Sequence, residues 1–165
     1  GFAGGKPVAR GSRQAEVFQQ ALNQVCIHLA KAIARDGEGA TKFIEVTVSG
    51  AASMADARLA ARTIVTSPLV KAAVHGSDPN WGRVLAAAGR SGAELVSDRI
   101  DLYINGICLL KSGGPVPFNK EEAVRSLSGS EVTVDLKLNL GNAGATAWGC
   151  DLSEEYVTIN SQYTT

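Results

Sequence analysis

The stretch RDGEGATKFIEV, residues 35–46, sets one carboxylate, Glu38, between Gly37 and Gly39. An acid on so free a backbone has two uses. It rests in water as a turn residue, the ordinary state of surface acids, or it meets a cationic ligand group, an ammonium above all, through charge-assisted hydrogen bonds. A second stretch, SDPNWGR (residues 77–83), offers Trp81 and Arg83 as ligand contacts beside Gly82. The same side chains serve equally to anchor a helix on a sheet, and that structural reading is favoured, because tryptophans mostly supply packing area. GRSG (89–92) lacks the spacing of either phosphate-binding glycine motif and reads as a plain turn, as does SGGPVP. Thr41, Thr63 and Thr66 carry hydroxyls, but none is N-terminal, where a threonine nucleophile borrows the free α-amine as its base. Cys26, Cys108 and Cys150 stand far apart, as do His28 and His75, so no metal-ligand spacing is present and no metal is expected. An odd cysteine count without a CxxC pair points to a reduced, cytoplasmic setting.

These residues must be held by secondary structure, and the patterning divides the chain. Residues 1–11 read as a loop. Ser12 is placed to cap a long helix in which Phe18, Leu22, Val25, Leu29 and Ile33 form one apolar stripe, with Cys26 and His28 taken as helix packing residues. Gly37 ends that pattern. In KFIEVTVSG, Ile44, Val46 and Val48 alternate with Glu45 and Thr47 as a half-buried strand. Ser53 with Asp56 resembles a capping box, Ser67-Pro68 opens a further helix, and Asp78-Pro79 repeats that device before NWGRVLAAAG. DLYINGICLL predicts a hairpin with a type I′ turn at Asn105-Gly106. KSGGPVPF is a loop, and Asn119 with Glu122 caps a short helix through Leu127. EVTVDLKLNL alternates cleanly, and ATAWGCDL and YVTIN predict two further strands. The sum is an α+β fold, a largely antiparallel sheet with helices on one face. The whole chain, 1–165, reads as a single domain.

Composition bounds the function. Sixteen basic residues balance sixteen acidic ones, leaving no surplus to neutralise a phosphate backbone. No apolar run approaches the length a bilayer requires, and GFAGGKPVARGS lacks the apolar core of a signal peptide. On these observations alone the chain is an α+β domain without nucleic-acid or membrane partners.

Several stretches together carry more. RDGEGATKFIEVTVSGA, DPNWGRVLAAAGRSG, the DLYINGICLL hairpin, AWGCDLSEEYV and the ending INSQYTT resemble the ornithine acetyltransferases, the bifunctional glutamate N-acetyltransferases of arginine biosynthesis. The resemblance runs in order from about the first helix to the last residue. It implies one part of an α-β-β-α layered fold and a precursor that cuts itself before a threonine. That threonine, the first residue of the β chain, takes acetyl from N-acetylornithine and passes it to glutamate, with an oxyanion hole supplied by the α chain. Gly1 is not threonine, so the resemblance places the nucleophile upstream of this segment and implies the C-terminal part of a β chain, inactive alone. It carries substrate-binding roles onto Glu38, Asn160 and Thr165. It implies no metal or organic cofactor, with acetyl-CoA as acetyl donor in some relatives. It implies partners in the α chain and the rest of the β chain, an α2β2 or larger assembly, and an exposed apolar face on the isolated segment. A same-fold acyltransferase of a secondary-metabolite pathway and a non-catalytic assembly domain are the alternatives.

Overall fold

The computed structural model describes residues 4–5 and 7–162. The chain divides into two compact units, residues 1–33 and 34–165. The described residues of the first contain most of α1 (Arg13–Arg35), of which Ala34 and Arg35 belong to the second unit. Ser12 Oγ accepts the Ala15 N–H at 3.2 Å, so the expected cap forms. No residue of α1 is buried, and Phe18, Leu22, Val25, Leu29 and Ile33 lie exposed. Cys26 and His28 are exposed too, which corrects their reading as packing residues: a lone helix has no core of its own to pack them into.

The second unit is built on a six-stranded sheet of β1 (Phe43–Ala51), β2 (Asp101–Ile104), β3 (Ile107–Lys111), β4 (Gly114–Pro115), β5 (Glu131–Lys137) and β6 (Ala143–Cys150), ordered β4-β3-β2-β5-β1-β6. Only β1 and β5 pair in parallel; every other neighbouring pair is antiparallel. The largely antiparallel α+β fold expected from the alternation is therefore the one formed. The period-two pattern sends Ile44, Val46, Val48, Val132, Val134 and Leu136 into one core. Against that face lie α2 (Met54–Val65), α3 (Pro68–His75), α4 (Trp81–Gly89) and α5 (Lys120–Leu127), whose Ala57, Ala60, Ala61, Ile64, Val70, Val74, Val84, Ala87 and Leu127 complete the core. The opposite face carries Glu45, Thr47, Thr133 and Asp135, none of them buried.

Local chemistry sets the boundaries. Ser53 Oγ accepts the Asp56 N–H, Pro68 is the first residue of α3, and Asn119 Oδ1 accepts the Glu122 N–H. Asn105 and Gly106 both have positive φ, 46° and 77°, as a type I′ turn requires. Three expectations are corrected. Gly114–Pro115, inside the stretch read as a loop, pair with Leu110 and Lys111 as the short edge strand β4. Asn80, not Asp78, caps α4: Asn80 Oδ1 accepts the Arg83 N–H at 3.1 Å, and Asp78 holds the Asn80 amide at 2.9 Å, leaving Pro79 outside the helix. YVTIN is not a strand but part of α6 (Glu154–Gln162). Its β-branched residues favour extended backbone. However, Ser153 Oγ accepts the Tyr156 N–H at 3.2 Å, and Glu154 and Glu155 occupy the first turn, where acids suit the helix dipole. No described helix is long and apolar enough to cross a membrane.

Candidate functional site

Between α1 and β1 the chain runs through Gly37, Glu38 and Gly39, and this hinge is fastened to the junction between β6 and α6. Ala40 N–H closes a turn onto the Gly37 carbonyl at 2.9 Å. Gly39 has φ +64°, and a Cβ there would stand 2.6 Å from the Tyr156 nitrogen, so only glycine admits α6 so close. Ser153 Oγ donates to the Gly39 carbonyl at 2.5 Å. Asp151 Oδ1 accepts the N–H groups of Thr41 and Lys42 at 2.8 and 2.9 Å, and Asp151 N–H returns a bond to the Lys42 carbonyl.

This fastening brings two of the expected site residues together. Asn160, on α6, donates from Nδ2 to Glu38 Oε2 at 2.7 Å, across 122 positions of sequence. The same nitrogen donates to the Tyr156 carbonyl at 2.8 Å. Both partners are acceptors, so the amide nitrogen must face them and the amide oxygen must face away. Among the described residues, Glu38 Oε1 and Asn160 Oδ1 take no further hydrogen bond. Both side chains are exposed. What remains is a pair of exposed acceptor atoms, a carboxylate oxygen and an amide oxygen, chemically able to take hydrogen bonds from donors. Thr165 lies outside the described residues.

A denser network sits behind the hinge. Asp151, with its side chain fully buried, also accepts the Thr41 hydroxyl at 2.5 Å and His75 Nδ1 at 2.7 Å through Oδ2. His75 Nε2 reaches Glu154 Oε2 at 3.0 Å. Carboxylates only accept, so when both bonds are made both ring nitrogens donate, which is the bonding pattern of an imidazolium. The hydrogen bond to Asp151 raises its pKa, against a lowering by burial and with further help from the charges of Asp151 and Glu154. Burial pushes Asp151 up, but the bonds from Thr41, His75 and the two backbone N–H groups outweigh it and hold the carboxyl below its ordinary value. Thr41, His75 and Asp151 do not make a nucleophilic triad. The Thr41 proton goes to the carboxylate, and neither imidazole nitrogen has a lone pair left to accept it.

Lys42 lies alongside. Its Nζ meets the carbonyls of Val74, His75 and Leu127 and the Ser77 hydroxyl, all within 3.2 Å, at the C-terminal ends of α3 and α5. Burial lowers its pKa, while Asp151 works the other way. A cation here satisfies last-turn carbonyls and answers two helix dipoles. On the other side of the hinge, Arg35 pairs with Glu131 at 2.7 Å and covers the Phe43 ring at 4.1 Å. These residues border a cavity of about 190 Å³, completed by Ala40, Thr41, Lys42 and Ser130.

Other candidates resolve structurally. Trp81 packs on the core, and Arg83 donates to the Leu69 carbonyl at 3.1 Å. In GRSG, Ser91 Oγ donates to Ala88 and accepts from Ala93, a side-chain-closed turn after α4. Among the described residues no group of three or more His, Cys, Asp or Glu is placed to hold a metal ion. The network around Asp151 escaped the sequence reading. Its one local trace is a histidine directly before the glycine that ends α3.

The fold, a largely antiparallel sheet with helices packed on one face, is shared with a protein of known structure. The crystal structure of the arginine biosynthesis bifunctional protein argJ from Bacillus halodurans superposes with a TM-score of 0.93 at 44% identity, covering 98% of this chain and 76% of that one. A protein of the same name from Dehalococcoides mccartyi is 58% identical over 149 residues, 90% of this chain and 37% of the relative. That from Symbiobacterium thermophilum is 52% identical over 165 residues, all of this chain and 41% of the relative. The chain thus spans about two fifths of these curated relatives. The family profile matches residues 2–165, and the chain belongs to the ArgJ family. The resemblance read from the DGEGATK and DPNWGR stretches is thereby borne out.

Proposed function

We propose that this chain is the substrate-gripping portion of a glutamate N-acetyltransferase of arginine biosynthesis, and that Glu38 and Asn160 hold the ammonium of its amino-acid substrate. The observation that carries the reading is the 2.7 Å bond joining those two residues, which leaves Glu38 Oε1 and Asn160 Oδ1 open. Family membership supports the reaction; the chemistry of the pair supports the ligand. N-acetylornithine has its α-nitrogen acylated and so carries a single ammonium, at the end of its side chain. That group brings three N–H donors to two waiting acceptors, one a carboxylate. With this end fixed, the acetyl carbonyl is presented to the threonine hydroxyl, which lies outside these 165 residues. Attack by the hydroxyl oxygen forms a tetrahedral oxyanion. Its collapse breaks the C–N bond, releases ornithine with a proton on the leaving nitrogen, and leaves acetyl-threonine. The free amine of glutamate then attacks the ester and regenerates the hydroxyl. Thr165 belongs to the same amino-acid site in this proposal.

The reading calls for no resident metal or organic cofactor; acetyl-CoA enters only as an alternative acetyl donor. It entails an α chain and the remainder of a β chain as partners, in an α2β2 or larger assembly after self-cleavage. The exposed stripe of Phe18, Leu22, Val25, Leu29 and Ile33 supports such partners, since a bare apolar stripe of this length marks a contact surface. A cytoplasmic setting is supported by three free thiols.

The test is Glu38→Gln in the full-length protein. A charged hydrogen bond at an exposed site is worth roughly tenfold in affinity, so KM for N-acetylornithine rises about that much with the melting temperature unchanged. Michaelis constants unaltered for both N-acetylornithine and glutamate would remove Glu38 from the site. Mass spectrometry of the native assembly, finding a companion chain that begins with threonine, tests the partner assignment.

A further inference from the structure

α6 carries Asn160 yet has no buried residue. A short helix without an apolar face in a core gains little from packing and is held by whatever polar contacts it makes. Among the described residues, its side chains make two such contacts outside their own helix: Asn160 with Glu38, and Glu154 with His75. The two anchoring residues are six positions apart. Ideal geometry puts them about 9 Å apart along the axis and on different faces. A helix gripped at two heights and two faces can neither roll nor slide.

His75 is well placed to be the fixed end of that grip. It is the last residue of α3, whose Val70 and Val74 lie in the core. Its own main chain is held, with the carbonyl 3.2 Å from Lys42 Nζ. Its ring is seated on the buried carboxylate of Asp151, with the Thr41 hydroxyl 3.4 Å from Nδ1. Glu154, by contrast, is almost wholly exposed, its side chain 90% accessible. An exposed acid gains little from such a pair in stability, so fold maintenance alone gives it little to do. Orientation of α6 does.

We propose that His75 is a positioning residue for the amino-acid site: seated on Asp151, it grips Glu154 and so fixes the rotation of α6 that brings Asn160 to Glu38. This rests on the reading of Glu38 and Asn160 as the ammonium site. Four groups face His75: Asp151 from the junction after β6, Glu154 from α6, and Thr41 and Lys42 from the hinge.

The experiment is steady-state kinetics on the full-length protein with five variants: E154A, E154Q, H75A, N160A and the double variant E154A/N160A. Because the grip is a partly exposed ion pair, E154A raises KM for N-acetylornithine about fivefold. Its kcat stays within about twofold and its melting temperature within about 2 °C. E154Q keeps an acceptor oxygen for Nε2 and restores KM. H75A shows at least the E154A rise in KM, and its melting temperature also falls because Asp151 loses its charged partner. On the N160A background E154A adds nothing, since there is no longer an amide to position. An unchanged KM in E154A beside a raised KM in N160A overturns the positioning role and leaves the ammonium site standing. Equal KM increases from E154A with and without Asn160 overturn it as well. Unchanged KM in N160A together with Glu38→Gln refutes the ammonium site itself, and the positioning role falls with it.

Discussion

Replacing Asp151 is the sharpest perturbation of this structure. Its carboxylate has no exposed surface and takes four hydrogen bonds: two backbone N–H groups at 2.8 and 2.9 Å, a hydroxyl at 2.5 Å and an imidazolium at 2.7 Å. Asp151→Ala strands the two backbone donors, at about 1 kcal/mol each in this partly buried place, and removes a charged hydrogen bond worth about 2 kcal/mol. The Thr41 hydroxyl, on an exposed residue, turns to water at little cost. The loss is about 4 kcal/mol, within the range for breaking a buried ion pair from one side. For a domain of this length that lowers Tm by about 8–16 °C. Asp151→Asn keeps one oxygen for the backbone donors and loses only the charge, so it costs about 2 kcal/mol. Urea unfolding followed by tryptophan fluorescence measures both, with Trp81 on α4 and Trp148 on β6 as reporters. The pH dependence gives a second signature. The folded pKa of His75 lies above its ordinary 6.5, so its contribution is full below 6.5 and fades as pH rises through the raised value. The folded pKa of Asp151 lies below its ordinary 3.8, so its contribution is full above 3.8 and fades as pH falls through the depressed value. The pair therefore contributes most between about 4 and 6.5; Asp151→Ala lowers stability throughout that window and removes the pair's falls on its acid and alkaline sides. An Asp151→Ala protein within 1 kcal/mol of the parent throughout would refute the reasoning.

Other perturbations follow from the same contacts. Lys42→Met leaves the last carbonyls of α3 and α5 without their cation and costs about 3 kcal/mol, read as an earlier urea midpoint; no shift of the midpoint contradicts the capping role. Gly39→Ala forces a Cβ against the Tyr156 nitrogen at positive φ and costs about 2 kcal/mol or more, with faster proteolysis between β6 and α6; wild-type protection argues against the close approach. Asn105→Val destabilises the hairpin by about 1–2 kcal/mol, because a β-branched residue resists the left-handed region and cannot replace the bonds to the Ser126 carbonyl and the Thr133 N–H; an unchanged Tm counts against it.

What could be read from the sequence follows distance along the chain. The caps at Ser12, Ser53 and Asn119 and the turn at Asn105-Gly106 are written within four residues of themselves, and all form. Glu38 drew notice for the same reason, through its two flanking glycines. Its partner Asn160 was reachable only by family resemblance, because nothing local links positions 122 apart. The failures are contests between local signals. In YVTIN, β-branched propensity lost to a serine cap and an acidic first turn just upstream. In SDPNWGR, two residues competed to cap and the nearer one won. Thr41, His75 and Asp151 come from three separate elements, and no spacing rule joins a hinge, a helix end and a strand end into one network.

The single parallel pairing in the sheet bears on how the chain is made. β1 sits between β5 and β6, and both lie near the C-terminal end of this segment. About eighty residues separate the end of β1 from the start of β5, and at ribosomal speeds of about 5–20 residues per second they take roughly 4–16 s to appear. Throughout that interval a hydrophobic strand, just after the glycine hinge, has neither neighbour to pair with. Such a strand is sticky during synthesis, and it invites chaperone capture until the last two strands emerge and close around it.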